Sequence, residues 1–175
     1  MAGGIIHLSL VVPEIAASIC LAISYEQEVE HFMDGRIENL FVKVGHGLPM
    51  SEVDELTTKS GQGIVGDQSY GRKKRQVLLI EKEILDEFGL EPGWVRENIT
   101  VSNITLTGLI PGSRLQLGEA CLKVTGDCDP CQLIDDIKPG LRTEMEHRRG
   151  ILGIVDNGGK VRVGDKVSLI SRSDE

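Results

Sequence analysis

Two cysteines three positions apart, in the run Cys128-Asp129-Pro130-Cys131, carry the most reactive chemistry in this chain of 175 residues. Thiols at that spacing can meet across a single turn, and four readings follow. As half of a zinc site the pair needs further ligands, but the sequence has no second Cys-x-x-Cys and no His-x-x-x-His, so Cys121 and His147 would have to be recruited. As a thioredoxin-like redox pair it should open a helix after a strand within a βαβ unit; Val124 ends a strand pattern, but the surroundings are not βαβ. In the third reading Cys131 is a lone nucleophile or soft ligand. Pro130 suits the first turn of a helix through Gln132, Leu133 and Ile134, so Cys131 would lie beside free N–H groups that favour a thiolate. Such a thiolate carries sulfur as a persulfide or binds a soft metal such as molybdenum. In the fourth reading both are incidental thiols at a turn. The spacing leaves all four open.

A second constellation is Gly61-Gln62-Gly63-Ile64-Val65-Gly66-Asp67 followed by Arg72-Lys73-Lys74-Arg75. It is not a phosphate-binding P-loop, because no Gly-Lys-Ser or Gly-Lys-Thr appears and no helix pattern follows. A glycine-rich loop feeding four cations into a strand can still hold an anion with backbone N–H groups and guanidinium forks. Arg72 and Arg75 are the anion candidates, whereas Lys73 and Lys74 read as solvated charges flanking an apolar strand. The four histidines show no metal spacing. Asp135, Asp136, Glu144 and Glu146 read as solvated helix faces, and no Gly-x-Ser-x-Gly elbow is present for a serine hydrolase.

The charge balance narrows the partners. Nineteen Lys and Arg against twenty-seven Asp and Glu leave a net charge of −8, which repels polyanions and anionic membranes. Six scattered aromatics offer no base-stacking platform, so neither a nucleic acid nor a membrane is expected as partner. The most apolar stretch, Ile5 to Ile23, is broken by His7, Ser9, Pro13, Glu14 and Ser18 and falls short of a membrane span. Without the basic n-region of a secretory signal, the four cysteines point to a reducing, cytoplasmic setting and to free or metal-bound thiols.

The elements that must position these residues are mostly strands. Twenty-one glycines, few aromatics and many Val, Ile and Leu favour β structure. Strand patterns cover Ile37 to Val44, Gln76 to Glu81, Asn98 to Leu106, Leu115 to Leu117, Ala120 to Val124, Ile151 to Val155, Val161 to Val163 and Val167 to Ile170. A short helix is expected over Lys82 to Phe88, stopped by Gly89. The run from Gly112 to Glu119 echoes that from Gly158 to Asp165, each a strand and a glycine turn, at Gly118 and Gly164, before a second strand. About eight such strands predict a mainly β fold, a closed or partly closed barrel with a few short helices. Residues 1–35 read as an N-terminal extension that includes an amphipathic helix after Pro13, and residues 36–175 as the barrel domain.

From about Arg36 to Ile170 the chain resembles the MOSC domain, the module found at the C-terminus of molybdenum cofactor sulfurases and as small stand-alone bacterial proteins. The resemblance rests on Gly47-Leu48-Pro49-Met50, Gly63-Ile64-Val65-Gly66-Asp67, Arg75-Gln76-Val77, Glu97-Asn98-Ile99, Gly118-Glu119-Ala120 and Pro130-Cys131, in that order. It implies a barrel-like fold in which a cysteine at the position of Cys131 carries sulfur as a persulfide or ligates molybdenum, with molybdopterin as cofactor. Asp67, Arg75 and Asn98 fall in motifs that line the family's site, and Arg72 joins them here as an anion contact. Cys128 adds a second thiol able to resolve a persulfide into a disulfide. Gln68, Ser69 and Tyr70 follow Asp67 where many members place a His. No desulfurase domain fits within this length, so a separate cysteine desulfurase or a molybdoenzyme would be the sulfur partner. Whether such a protein turns over as a sulfurtransferase stays open. The alternatives are a non-catalytic ligand-binding barrel and a structural zinc protein.

Overall fold

The computed structural model describes residues 34–171, and the expected helix after Pro13 lies outside them. Eleven strands follow in order: β1 (Asp34–Val42), β2 (Ser51–Val53), β3 (Glu55–Lys59), β4 (Gly63–Ile64), β5 (Val77–Glu81), β6 (Ile99–Ser102), β7 (Arg114–Leu117), β8 (Ala120–Asp127), β9 (Ile151–Asn157), β10 (Gly159–Arg162) and β11 (Lys166–Ser171). Three short helices interrupt them: α1 (Lys82–Phe88), α2 (Gln132–Ile137) and α3 (Leu141–Glu144).

Seven strands form a closed ring in the order β11-β7-β8-β9-β5-β6-β1, because β1 pairs with β11 through Asp34↔Ser168 and Arg36↔Lys166. β2 is appended to the far half of β1, and β10, β3 and β4 make a separate small sheet. Closure removes the open edges through which sheets aggregate. Every ring pairing is antiparallel except β5 with β6, which run parallel as the α1 crossover requires.

Alternation along the strands decides what fills the ring. Val77 and Leu79 of β5, Leu122 and Val124 of β8, and Leu115 and Leu117 of β7 point into one core with Ile37, Leu40, Ile99 and Val101. Burying an aliphatic side chain of this kind contributes about 1.5–3 kcal/mol. Ile80 on the other face of β5 packs outside the ring with Ile84 and Leu85 of α1, Ile134 of α2 and Leu141 of α3. This explains why the run Val77–Glu81 is buried throughout and shows no polar alternation. The third group, Leu78, Cys128 and Leu152, lies outside the ring where β5 pairs with β9.

Two glycines do different work: one marks a close approach within the ring and the other ends a helix. Gly150, at φ +88, brings its backbone so close to β5 that a Cβ would stand 2.0 Å from the Leu79 carbonyl oxygen. Gly89 closes α1 in the left-handed conformation, with its N–H on the last carbonyls of the helix, as the sequence predicts. The glycine echo is kept in its turns and altered in its pairing. β7 and β8 form a hairpin over Gly118, whereas β10 pairs with β3 and hands the chain over Gly164 to β11 in the ring.

Candidate functional site

A cavity of about 470 Å³ opens against the outer face of the ring, with Leu78 and Leu152 in its lining. Those two residues are cross-strand partners in β5 and β9, so an apolar pair forms its base. Polar side chains come from segments that flank the strands: Lys43 and His46 after β1, Gln68, Ser69 and Arg72 after β4, Arg75 before β5, Arg96 and Asn98 before β6, Cys128 and Cys131 after β8, and Arg149 before β9. Residues separated by more than a hundred positions converge because the ring brings these strand ends together.

Of the residues singled out in the sequence, Arg72, Arg75, Asn98, Cys128 and Cys131 line this one cavity. Asp67 lies beside it, buried, and accepts hydrogen bonds from the Lys43 N–H (2.7 Å), the Ser69 N–H (2.7 Å) and Asn98 Nδ2 (2.9 Å). Asn98 donates a second time to the Phe41 carbonyl (3.2 Å) and accepts the Leu78 N–H (3.1 Å) through Oδ1. Both amide protons of Asn98 are therefore committed to the protein, and Asp67 with Asn98 ties the ends of β1 and β4 to the starts of β5 and β6.

The cations are the larger surprise. Lys43, Arg96 and Arg149 join Arg72 and Arg75, placing five cationic side chains around one cavity in a chain of net charge −8. Burial holds the Lys43 ammonium below the usual lysine range; Asp67 pulls it back up, and Arg96, Arg72 and Arg149 push it further down. Arginines that press on one lysine in this way make the cavity a place that favours negative charge. Arg75 and Arg96 both hold left-handed backbone, φ +59 and +64, which costs a non-glycine residue about 1–3 kcal/mol and recurs at ligand sites. Arg96 donates from Nη1 to the Leu48 carbonyl (2.8 Å), pinning the loop that carries His46 and Gly47.

Arg149 is the residue that sequence reasoning missed most completely. It is buried, donates from Nη1 to Cys128 Sγ (3.3 Å) and the Asp129 carbonyl (3.1 Å), and from Nη2 to the Val95 carbonyl (3.0 Å). Its Nε is buried without a partner, as is Oε2 of the buried Glu97. One signal could have found it: Arg149 precedes β9 much as Arg75 precedes β5, and β5 and β9 are ring neighbours. Lys43 and Arg96 carry no comparable mark.

The two thiols differ sharply in exposure. Cys128 is 2% exposed and accepts N–H groups from Arg149 and from Arg75 Nη2 (3.7 Å), whereas Cys131 is exposed. Cys131 occupies the N-cap of α2 with extended backbone, and its side chain makes no capping bond. Its carbonyl accepts the Ile134 N–H (3.0 Å), so Pro130 stands just ahead of the six-residue helix and not in its first turn. Among the described residues, no three of His, Cys, Asp and Glu converge on a metal-sized site, so the zinc reading finds no third ligand. Cys121 lies on β8 outside this cavity, and burial followed by the nearby Asp156 pushes its thiol pKa up.

A family model for the MOSC domain matches residues 66–168, a span that takes in Gly66 and Asp67 at the end of the glycine-rich loop, the arginines before β5 and β9 and both thiols. The chain belongs to the MOSC domain family. Solved structures agree on the architecture. The crystal structure of the YUAD protein from Bacillus subtilis is 26% identical, with a TM-score of 0.67 over 78% of this chain and 96% of that one. YiiM from Escherichia coli is 22% identical, with a TM-score of 0.59 over 80% of this chain and 72% of that one. YiiM from Geobacillus stearothermophilus is 16% identical, with a TM-score of 0.62 over 78% and 75%. Among curated proteins no sequence match is found. Among the described residues of this MOSC protein no helix is long and apolar enough to cross a membrane.

Proposed function

We propose that this MOSC protein binds an anionic molybdenum-pterin cofactor, or a ligand of similar charge and size, in the cation-lined cavity, with Cys131 as the sulfur that meets it. One observation carries the reading: an exposed thiol shares a 470 Å³ cavity with Lys43, Arg72, Arg75, Arg96 and Arg149. The donor set fits such a group. Guanidinium forks pair with phosphate oxygens, the unpartnered Arg149 Nε is a buried donor with capacity to spare, and a thiol is the soft ligand that molybdenum prefers. Membership of the MOSC family is consistent with a molybdenum-cofactor-related role. When bound, the cofactor would supply a soft, redox-active metal able to exchange sulfur.

The residues of the chain divide the work. Arg72 and Arg75, both exposed at the rim, meet the ligand's negative charge first, and Lys43 and Arg149 hold it deeper. Cys131, free of any capping bond, presents its Sγ either as a metal ligand or as the carrier of a sulfane sulfur received from a separate donor such as a cysteine desulfurase. Leu78 and Leu152 exclude water beneath it.

The test is to produce the protein in a host that makes the cofactor, then measure molybdenum, pterin fluorescence and cysteine persulfide on the purified chain. Wild type should retain molybdenum with pterin or carry a persulfide on Cys131. Cys131→Ser should lose the persulfide or the metal, and Arg72→Gln with Arg75→Gln should lose the pterin. A wild-type chain with no pterin, no molybdenum and no Cys131 persulfide would overturn the reading.

A further inference from the structure

The cavity holds one thiol more than a single sulfur carrier requires, and the second is placed differently from the first. Cys131 is open to solvent at the mouth, whereas Cys128 is almost wholly enclosed, and both line the same space. The turn joining them is held on each side. Arg149 Nη1 bonds the Asp129 carbonyl at 3.1 Å, and Arg142 Nε bonds the Pro130 carbonyl at 3.2 Å. The N–H of Cys128 bonds the Gly150 carbonyl at 2.9 Å, anchoring the start of that turn where the Gly150 backbone lies against β5. Arg149 and Arg75 both aim N–H groups at Cys128 Sγ, so the negative charge that sulfur carries before it attacks finds donors already in place.

An exposed thiol beside a sheltered one is the arrangement in which the first accepts sulfur and the second clears it. Enclosure keeps outside donors from Cys128, while Cys131, three residues on, lines the same cavity. We propose that Cys128 is the resolving thiol for sulfur carried on Cys131. This deepens the carrier reading of Cys131 given above and rests on it. Cys128 loses its proton to solvent and its sulfur attacks Cys131 Sγ. The bond between Cys131 Sγ and the sulfane sulfur breaks, its electron pair departs with the sulfane sulfur as hydrosulfide, and a Cys128–Cys131 disulfide forms. The sulfane sulfur is reduced and the two protein thiols are oxidised in balance. Two equivalents of a small thiol then restore the pair and leave as that thiol's disulfide. When no acceptor occupies the cavity, the protein discharges its cargo as hydrosulfide and does not hold a persulfide indefinitely.

The experiment uses inorganic polysulfide as donor, without oxygen, on the full chain. After removal of excess donor, hydrosulfide is quantified over time and Cys131 is followed by intact mass and peptide mapping. Wild type should release one hydrosulfide for each Cys131 persulfide lost and gain a mapped Cys128–Cys131 disulfide. In Cys128→Ala the persulfide should outlive that of wild type by about tenfold or more, with no disulfide. The wild-type stoichiometry stands alone should the variant fold poorly. A persulfide that persists on wild type, with neither hydrosulfide nor disulfide, overturns the resolving role and leaves the carrier reading intact. Absence of any Cys131 persulfide in both proteins overturns the two together.

Discussion

Asp67 offers the sharpest division between holding the fold and holding a ligand. Its carboxylate satisfies the Lys43 N–H, the Ser69 N–H and Asn98 Nδ2 while buried itself. A buried donor left unpaired costs about 1–3 kcal/mol. The Lys43 N–H is only partly buried and Asn98 keeps the Phe41 carbonyl, so Asp67→Ala should cost about 3–5 kcal/mol and not the full sum. Asp67→Asn keeps one acceptor oxygen but turns an amide N–H towards a donor, and should cost about 2 kcal/mol. For a domain of this size the alanine variant should then melt about 6–20 °C lower. Its effect on anions should be opposite in sense. Removing a negative charge beside Lys43 strengthens the cavity field by about 0.4–1 kcal/mol, so sulfate should bind about two- to fivefold tighter than to wild type. Thermal melts by circular dichroism and sulfate titration by calorimetry, well below the melting point, read the two effects separately. A melting point within about 2 °C of wild type together with a collapse of sulfate binding would refute the assignment of Asp67 to the framework.

The remaining predictions concern charge, pH and backbone space. Arg72→Gln and Arg75→Gln should each weaken sulfate binding by about 3–10-fold at low salt, less at high salt, with melting points little changed; titration at two ionic strengths checks this. Sulfate affinity should fall as pH rises through the lowered range of Lys43, because only the ammonium attracts the anion, and Lys43→Met should flatten that dependence in calorimetry. Burial raises Glu97 above the usual carboxylate range, so the folded state binds its proton more tightly than the unfolded state. The stability this supplies is full below the ordinary glutamate value of 4.5 and is lost as pH rises through the raised one, so Glu97→Gln should gain on wild type over that window in urea unfolding. Gly150→Ala combines a positive φ with a 2.0 Å approach to Leu79 O, and should cost more than about 4 kcal/mol or yield insoluble protein in an expression and melting comparison.

The ring was largely legible because it is written in local patterns. All eight strand patterns coincide with observed strands to within a few residues, and the helix Lys82–Phe88 with its glycine stop matches at both ends. β2, β3 and β4 escaped because Ser51–Val53 and Glu55–Lys59 are short and mostly polar, and Gly63–Ile64 is too brief to show alternation. Leu141–Glu144 was expected only as a solvated helix face at Glu144, without bounds, because four residues cannot display a helical period. Apart from Asn98, which the family resemblance supplied, the site was legible where chemistry and sequence neighbourhood coincide. Cys128 with Cys131 and Arg72 with Arg75 stand close together in the chain, and the structure gathers both pairs. Lys43, Arg96 and Arg149 belong to the same cavity through ring closure, a property of pairing between distant strands that no window of sequence contains.

Arg149 touches the carbonyl before β6, the carbonyl of the thiol turn and a thiol sulfur with one guanidinium. Retooling this barrel for a new ligand is therefore unlike editing a surface loop. A change at Arg72, which stands at the rim, alters preference at little risk to the scaffold. The same change at Arg149 would break three contacts to two segments at once, so lineages that diverge in specificity should vary the outer cations long before the inner one.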